Sequence, residues 1–283
     1  MKFEEEENQR MLIPRIRKNH PQMGVRDLYF KIQPTTMGRD AFETFCKEEG
    51  FMKKAKRSLK GTTDSRGVKR FDNLCDTVLV SAPDQLWVSD ITYFEVGERF
   101  YYITFIQDVF SRKILGNSVS ISLRTVDTTL PALKKSLIIR KKKKFPNLIF
   151  HSDGGGQYYA DEFLKATREA EITNSMCKYP WESPYAERIN GVIKNNYLIH
   201  WEIKNLEQLE KQVDRAVKLY NSDKPHKSLK RLTPDQFEKN YFSAGKQSDG
   251  EKSATENKSQ KPEGITALRA NGNHLVEIDS TSV

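Results

Sequence analysis

Apolar positions recur along the chain with two different periods. Residues 9–18 place Leu12, Ile13 and Ile16 on one side of a short helix, and His20-Pro21-Gln22-Met23-Gly24 breaks that pattern. A second helical run covers residues 25–32, Pro34 to Gly38 turns the chain again, and a third run over 39–49 stops at Gly50. Three short helices with basic residues at their turns suit a plain three-helix bundle or a helix-turn-helix. From residue 84 the period becomes two. Residues 86–94, 100–109 and 113–120 read as closely spaced strands, with Gly97 at the first turn and Ser111-Arg112 at the second. The spacing then predicts a helix over 124–140, a strand over 147–152, a helix over 160–170 and a short strand over 172–177. Helices over 185–199 and 205–221 follow. Three successive strands and then α-β-α-β imply an α/β protein, a mixed five-stranded sheet with helices on its faces.

The end of the chain has a different composition. Residues 243–283 contain no Phe, Trp or Tyr and are rich in Ser, Lys, Glu, Asn and Gly. Such a stretch buries too little apolar area to offset its ordering entropy, so a disordered tail is expected, with one short strand over 274–278. The resulting division is a helical unit over 9–50, a basic linker over 51–79, a core over 80–242 and the tail over 243–283.

Charge narrows the class of protein. The 283 residues carry 47 Lys and Arg against 38 Asp and Glu, a net charge of +9. No uninterrupted apolar run approaches the ~20 residues of a membrane span. The N-terminus lacks the basic start and apolar stretch of a signal peptide. Cys46, Cys75 and Cys177 are too few and too far apart for a disulfide framework or a metal knuckle. A cytoplasmic protein that meets no membrane is expected. The positive charge is polarised: residues 1–80 hold 17 basic and 12 acidic side chains, and residues 81–160 hold 11 and 7. Two clusters stand out, one containing Lys53, Lys54, Lys56 and Arg57, the other Arg140, Lys141, Lys142, Lys143 and Lys144. Each reads equally as a solvated loop or as a phosphate-binding surface.

Three acids have placements that invite chemistry. Asp90 shares a strand face with Leu86, Val88, Thr92 and Phe94, where a charge is expensive unless paired or bound to metal. A capped or salt-bridged structural Asp is the competing reading. Asp153 ends an apolar strand and runs into Gly154-Gly155-Gly156, at the end of a strand where α/β proteins place ligands. Glu187 lies on the polar arc of the 185–199 helix with Gly191 and Lys194, and Asn190 sits beside them. A solvated face explains Glu187 and Lys194 as well. An exposed Gly191, costing ~1 kcal/mol of helix propensity, favours close approach of another molecule. Carboxylates converging from two strands and a helix suit hard cations, Mg²⁺ or Mn²⁺. Two such ions ~4 Å apart would serve phosphodiester displacement.

The blocks Trp87-Val88-Ser89-Asp90-Ile91-Thr92-Tyr93, His151-Ser152-Asp153-Gly154-Gly155-Gly156-Gln157-Tyr158 and Ala186-Glu187-Arg188-Ile189-Asn190-Gly191-Val192-Ile193-Lys194 resemble the catalytic blocks of a DDE transposase. The pattern is similar to the second-reading-frame product of bacterial insertion sequence family three, which has a retroviral-integrase-like core. Asp108 to Gly116, Tyr220-Asn221, Lys224 to Leu229 and Thr233 to Phe237 extend the resemblance, and His20-Pro21 with Gly24 and Arg26 resembles the small helix-turn-helix preceding that core. The resemblance implies an RNase H-like fold and Mg²⁺-dependent cleavage and strand transfer of double-stranded DNA, at element ends and target. Two ions, with Mn²⁺ as a substitute, would be held by Asp90, Asp153 and Glu187. It assigns DNA contact to Lys194, with Asn190, Arg188 and the basic clusters as further candidates. Asp108, Arg112, Tyr220 and His226 become structural support. It further implies a homo-oligomer at paired ends and a DNA-binding partner or fusion supplied by an upstream reading frame, this chain being the catalytic half. In this sequence 33 residues separate Asp153 from Glu187, two fewer than the family keeps, and Glu182 is the alternative acid. A nuclease without strand transfer and a non-catalytic DNA-binding relative are the competing functions.

Overall fold

The computed structural model describes residues 2–53, 71–75, 78–177, 184–251 and 268–269. Lys54, Lys56, Arg57, Glu182 and the strand expected over 274–278 lie outside the described residues. Helices α1 (Lys2–Asn19), α2 (Val25–Ile32) and α3 (Arg39–Glu48) form the N-terminal unit. Ile13, Leu28, Phe42 and Cys46 are its fully buried centre. α1 starts at Lys2 rather than at residue 9, because its polar first turns have a partner. Glu5 accepts hydrogen bonds from the backbone N–H groups of Thr35 and Thr36, at 2.6 and 2.8 Å, in the turn before α3.

This unit is docked on the core by polar contacts. The His20 ring bonds Tyr197 Oη at 3.0 Å and Asp223 at 2.7 Å, and Lys31 also pairs with Asp223. Asp27 receives Arg231 at 2.5 Å. Residues 1–50 carry nine basic and nine acidic side chains, so the unit is electrically neutral.

The core follows in chain order: β1 (Leu79–Val80), β2 (Leu86–Val96), β3 (Arg99–Asp108), β4 (Ile114–Ser120), α4 (Thr129–Arg140), β5 (Ile149–Ser152), α5 (Asp161–Glu169), β6 (Thr173–Met176), α6 (Pro184–Asn196), α7 (Leu206–Ser222) and α8 (Pro234–Glu251). Five strands lie in the order β4-β3-β2-β5-β6, with β2, β3 and β4 antiparallel and β5 and β6 parallel to β2. One face buries Trp87, Ile106, Leu133, Phe150 and Phe163 under α4 and α5. The other buries Ile103, Phe105, Ile189, Ile193 and Val213 under α6 and α7. Gly116 makes the α4 contact possible, since a Cβ there would stand 2.0 Å from the carbonyl oxygen of Ala132. Asn221 exchanges two hydrogen bonds with the backbone of Ile114, at 2.8 and 2.9 Å, and so fixes α7 to β4.

The chain's last part departs from expectation. α8 packs Phe237 and Tyr241 on Phe110 and continues to Glu251, past residue 242. β7 (Leu268–Arg269) pairs antiparallel with β1. The helix expected from residue 124 begins at Thr129, because residues 124–128 form turns.

Candidate active site

β2 and β5 run parallel and in register from Leu86–Ile149 to Ser89–Ser152, so Asp90 and Asp153 are the next residues on two adjacent strands. Asp90 accepts from its neighbour's N–H (Ile91, 2.8 Å) and from the Asn190 side-chain amide (2.8 Å). Asp153 turns back to accept from Gly155 N–H at 3.1 Å. A Cβ on Gly155 would lie 3.0 Å from that carboxylate oxygen, a tight contact that would push the Asp153 side chain aside. Among the described residues neither acid makes an ion pair. Burial first, then the charges of Asp153 and Glu187, push Asp90 up to about 7 against its two hydrogen bonds. Burial likewise raises Asp153. Beneath the pair, Tyr158 Oη and Ser89 Oγ are hydrogen bonded at 2.9 Å, and Ser89 donates to the Phe105 carbonyl.

Glu187 is exposed in the first turn of α6. It contributes charge at Asp90, but among the described residues no three His, Cys, Asp or Glu side chains are grouped closely enough to hold a metal ion. The two aspartates alone fit a divalent cation, being half-buried hard-oxygen donors in no ion pair among the described residues. Lys194 donates to Thr92 Oγ1 at 3.1 Å, two residues beyond Asp90 on the same strand face. Burial lowers its pKa and the charge of Asp90 raises it, with a net lowering.

Several residues expected to meet DNA are placed otherwise. Asn190 is buried with its amide on Asp90, so it is an orienting group for the carboxylate and presents no side chain to a duplex. Arg140 is corrected more strongly. Its guanidinium is 7% exposed and meets Asp84 at 2.6 Å, Asp108 at 3.3 Å and Glu238 at 2.8 Å. Arg140 is thus an internal counter-ion for three acids, because α4 ends beside the start of β2 and the end of β3. Lys142 pairs with Asp84 and Lys144 with Glu171, while Lys141 and Lys143 are exposed. This loop enters β5 at the end opposite to Asp153. Arg188 and Lys53 are exposed.

Three of the four support candidates, Arg112, Tyr220 and His226, are linked to one another, whereas Asp108 belongs to the Arg140 cluster. The Arg112 guanidinium lies 4.1 Å from the ring centroid of Tyr185, two residues before Glu187. Gln107 donates to the Arg112 carbonyl at 2.8 Å and to Tyr220 Oη at 3.1 Å. His226 packs its ring edge on Tyr220 and donates from Nε2 to the Tyr220 carbonyl at 3.2 Å. Asp108 accepts from Ser111 and Asp84 N–H groups besides meeting Arg140. Sequence reasoning gave no role to Tyr158, Thr92 or Gln107. Tyr158 and Thr92 lie inside the family-like motifs, but only the fold shows what they touch.

Two family models, each described as an integrase core domain, match residues 80–179 and 168–234. Together they include Asp90, Asp153 and Glu187, so this part of the chain is similar to integrase core domains. The relatives that it matches include transposases of bacterial insertion sequences. It is 30% identical over 190 residues to the transposase of insertion sequence element IS629 from Shigella sonnei, covering 66% of this chain and 63% of that one. It is 27% identical over 199 residues to transposase InsF of insertion sequence IS3A from Escherichia coli K12, covering 68% and 67%. The chain thus spans less than two thirds of the first relative's length. The HTLV-2 integrase catalytic core domain in complex with magnesium aligns with 19% identity and a TM-score of 0.44, over 55% of this chain and 96% of that one.

Proposed function

We propose that this chain is a transposase that cleaves insertion-sequence DNA ends and joins the freed 3′-hydroxyl to a second DNA. The observation that carries this reading is the pairing of Asp90 with Asp153, half-buried on adjacent parallel strands and in no ion pair among the described residues. In this proposal Asp90 and Asp153 hold Mg²⁺, or Mn²⁺ in its place, and Glu187 completes the set for two ions. A bound divalent cation supplies a more acidic attacking hydroxyl and neutralises charge at the phosphate. The remaining work falls to the protein. Asn190 orients Asp90, Thr92 holds the Lys194 ammonium at the rim of the pair, and Lys194 takes a phosphate of the terminal nucleotides. Arg112 under Tyr185 fixes the turn that carries Glu187. Arg188, Lys53, Lys54, Lys56 and Arg57 are proposed to follow the duplex outside the site. A homo-oligomer at paired ends, an upstream-frame DNA-binding partner and a cytoplasmic, nucleoid-associated location go with the same reading.

The test is direct. Purified chain with Mg²⁺ and a duplex carrying the element ends gives nicked and joined products, and Asp90→Asn gives neither. Undiminished activity in Asp90→Asn overturns the site. Nicked products with no joined ones identify a nuclease without strand transfer.

A further inference from the structure

Beyond Asp90 the β2–β3 hairpin extends out of the sheet. β2 pairs with β5 only from Leu86 to Ser89, so from Ile91 onward its other edge carries no described strand. On this extension Tyr93 and Phe100 are 55% and 53% exposed, and their rings meet edge to face with centroids 5.7 Å apart. A single exposed aromatic is ordinary. Two touching rings, both more than half exposed, are a surface presented to something. Tyr93 also carries a cation, because the Lys194 ammonium lies 4.8 Å from its ring centroid while donating to Thr92. Thr92 is two residues from Asp90, so ring, cation and acid pair follow one another along one strand.

The chemistry of the hairpin says what would lie there. Its tip exposes Glu95, Glu98 and Arg99, which with Lys194 sum to zero formal charge, so the rings lie in neutral surroundings with a single cation at one edge. A neutral, flat base is favoured on the rings, and the phosphate beside it on Lys194. Every base has a π-face, so such a platform grips an unpaired end without reading its sequence. A cation held over the ring and a phosphate chain passing it fit one occupant, a nucleic acid strand.

We infer that Tyr93 and Phe100 form a stacking platform for an unpaired nucleobase at a DNA end, with Lys194 contacting the adjacent phosphate. The inference rests on the transposase reading above for its substrate, but not on cleavage. Its test is therefore run without metal, on the full chain. Fluorescence anisotropy compares a labelled single-stranded oligonucleotide with one of equal length bearing abasic sites, which keeps every phosphate and removes bases. The wild type should bind the base-bearing strand about tenfold more tightly. Tyr93→Ala/Phe100→Ala should bind both strands alike, and Tyr93→Trp should keep the preference. Lys194→Ala should weaken both strands equally. Equal binding of the two strands by the wild type, or a preference that survives the double alanine variant, overturns the platform. So does a change in oligomeric state of the double variant without DNA, which would assign the rings to contact between copies. Base preference in a protein that neither cuts nor joins with Mg²⁺ supports the platform and refutes the transposase reading. Cutting without base preference does the reverse.

Discussion

Acids gather at both ends of β5, and the two gatherings are solved in opposite ways. At its start, Asp84, Asp108 and Glu238 surround Arg140, with Lys113 on Glu238 at 3.1 Å. At its end, Asp90 and Asp153 have an amide and two backbone N–H groups but no ion pair among the described residues. Asp84 and Asp90 are six residues of extended chain apart, about 20 Å, so one strand leads from the compensated cluster to the uncompensated one. The electrostatics follow. Burial acts to raise Glu238, yet the hydrogen bond and charge of Arg140, with Lys113, hold it below the usual carboxylate range. Asp90 is pushed up to about 7. The fold builds an arginine into one acidic cluster and leaves the other in no ion pair among the described residues, which is the arrangement that the proposed metal site requires.

The largest effects would come from breaking each cluster at its defining charge. Asp153→Asn should reduce DNA cleavage and joining by about a thousandfold or more with Mg²⁺, while leaving thermal unfolding near that of wild type. Arg140→Met should do the opposite to the fold, costing about 3–5 kcal/mol in denaturant unfolding by leaving Asp108 with no ion pair and Asp84 and Glu238 with only their partly exposed lysines. A stable Arg140→Met protein would remove the distinction between the clusters. Their pH dependences differ in sign. In chelator the native state keeps a proton on Asp90 up to about pH 7, whereas the unfolded chain loses it near the ordinary 3.8. Between these values the native state binds more protons, so this group's contribution to stability falls as pH rises. Melting temperatures of wild type relative to Asp90→Asn should therefore drop by several degrees from pH 4 to pH 7, and Mg²⁺ should restore wild type alone. Glu238 contributes stability above its ordinary 4.5 that is lost as pH falls through its lower native value.

The difference between these clusters was half visible in the sequence. Alternation along 86–94 put Asp90 and Thr92 on one face, and both contacts made there, from Asn190 and Lys194, come from the helix arc that the wheel placed together. Asp153 before three glycines was legible because strand and turn are local signals. Arg140 was not, since it stands at the head of a five-cation run and its partners are 98, 56 and 32 residues away in sequence. Local composition reports the run, and only the packing of α4 and α8 on the sheet reports the cage. His20 was noticed as part of a motif, but Tyr197 and Asp223 lie 177 and 203 residues along the chain. The start of α1 was missed for the same reason: a polar helix end is held by Thr35 and Thr36, not by its own periodicity.

Smaller substitutions refine how each cluster is held. Asn190→Ala removes the one side-chain donor to Asp90 and should lower Mg²⁺ affinity, followed by metal-dependent thermal shift, about tenfold, the range for groups that orient metal-binding carboxylates. An unchanged affinity would return Asn190 to a purely packing role in α6.

The smallest effect is expected at the basic loop beside the Arg140 cage. Lys141 and Lys143 are exposed, and Lys142 meets Asp84 at 3.2 Å with more than half of its side chain in solvent. A solvated pair of this kind contributes about 0–1 kcal/mol, and Asp84 keeps Arg140 as its main partner. Replacing Lys141, Lys142 and Lys143 by Ala should therefore leave denaturant unfolding within about 1 kcal/mol of wild type. These lysines stand at the far end of β5 from Asp153, so cleavage of a short end-bearing duplex should also be unchanged. If they follow a longer duplex away from the site, the loss appears only there, as a shallower dependence of binding on salt. Reduced cleavage of the short duplex would mean that DNA reaches both ends of the strand at once, and the two clusters would then share one substrate.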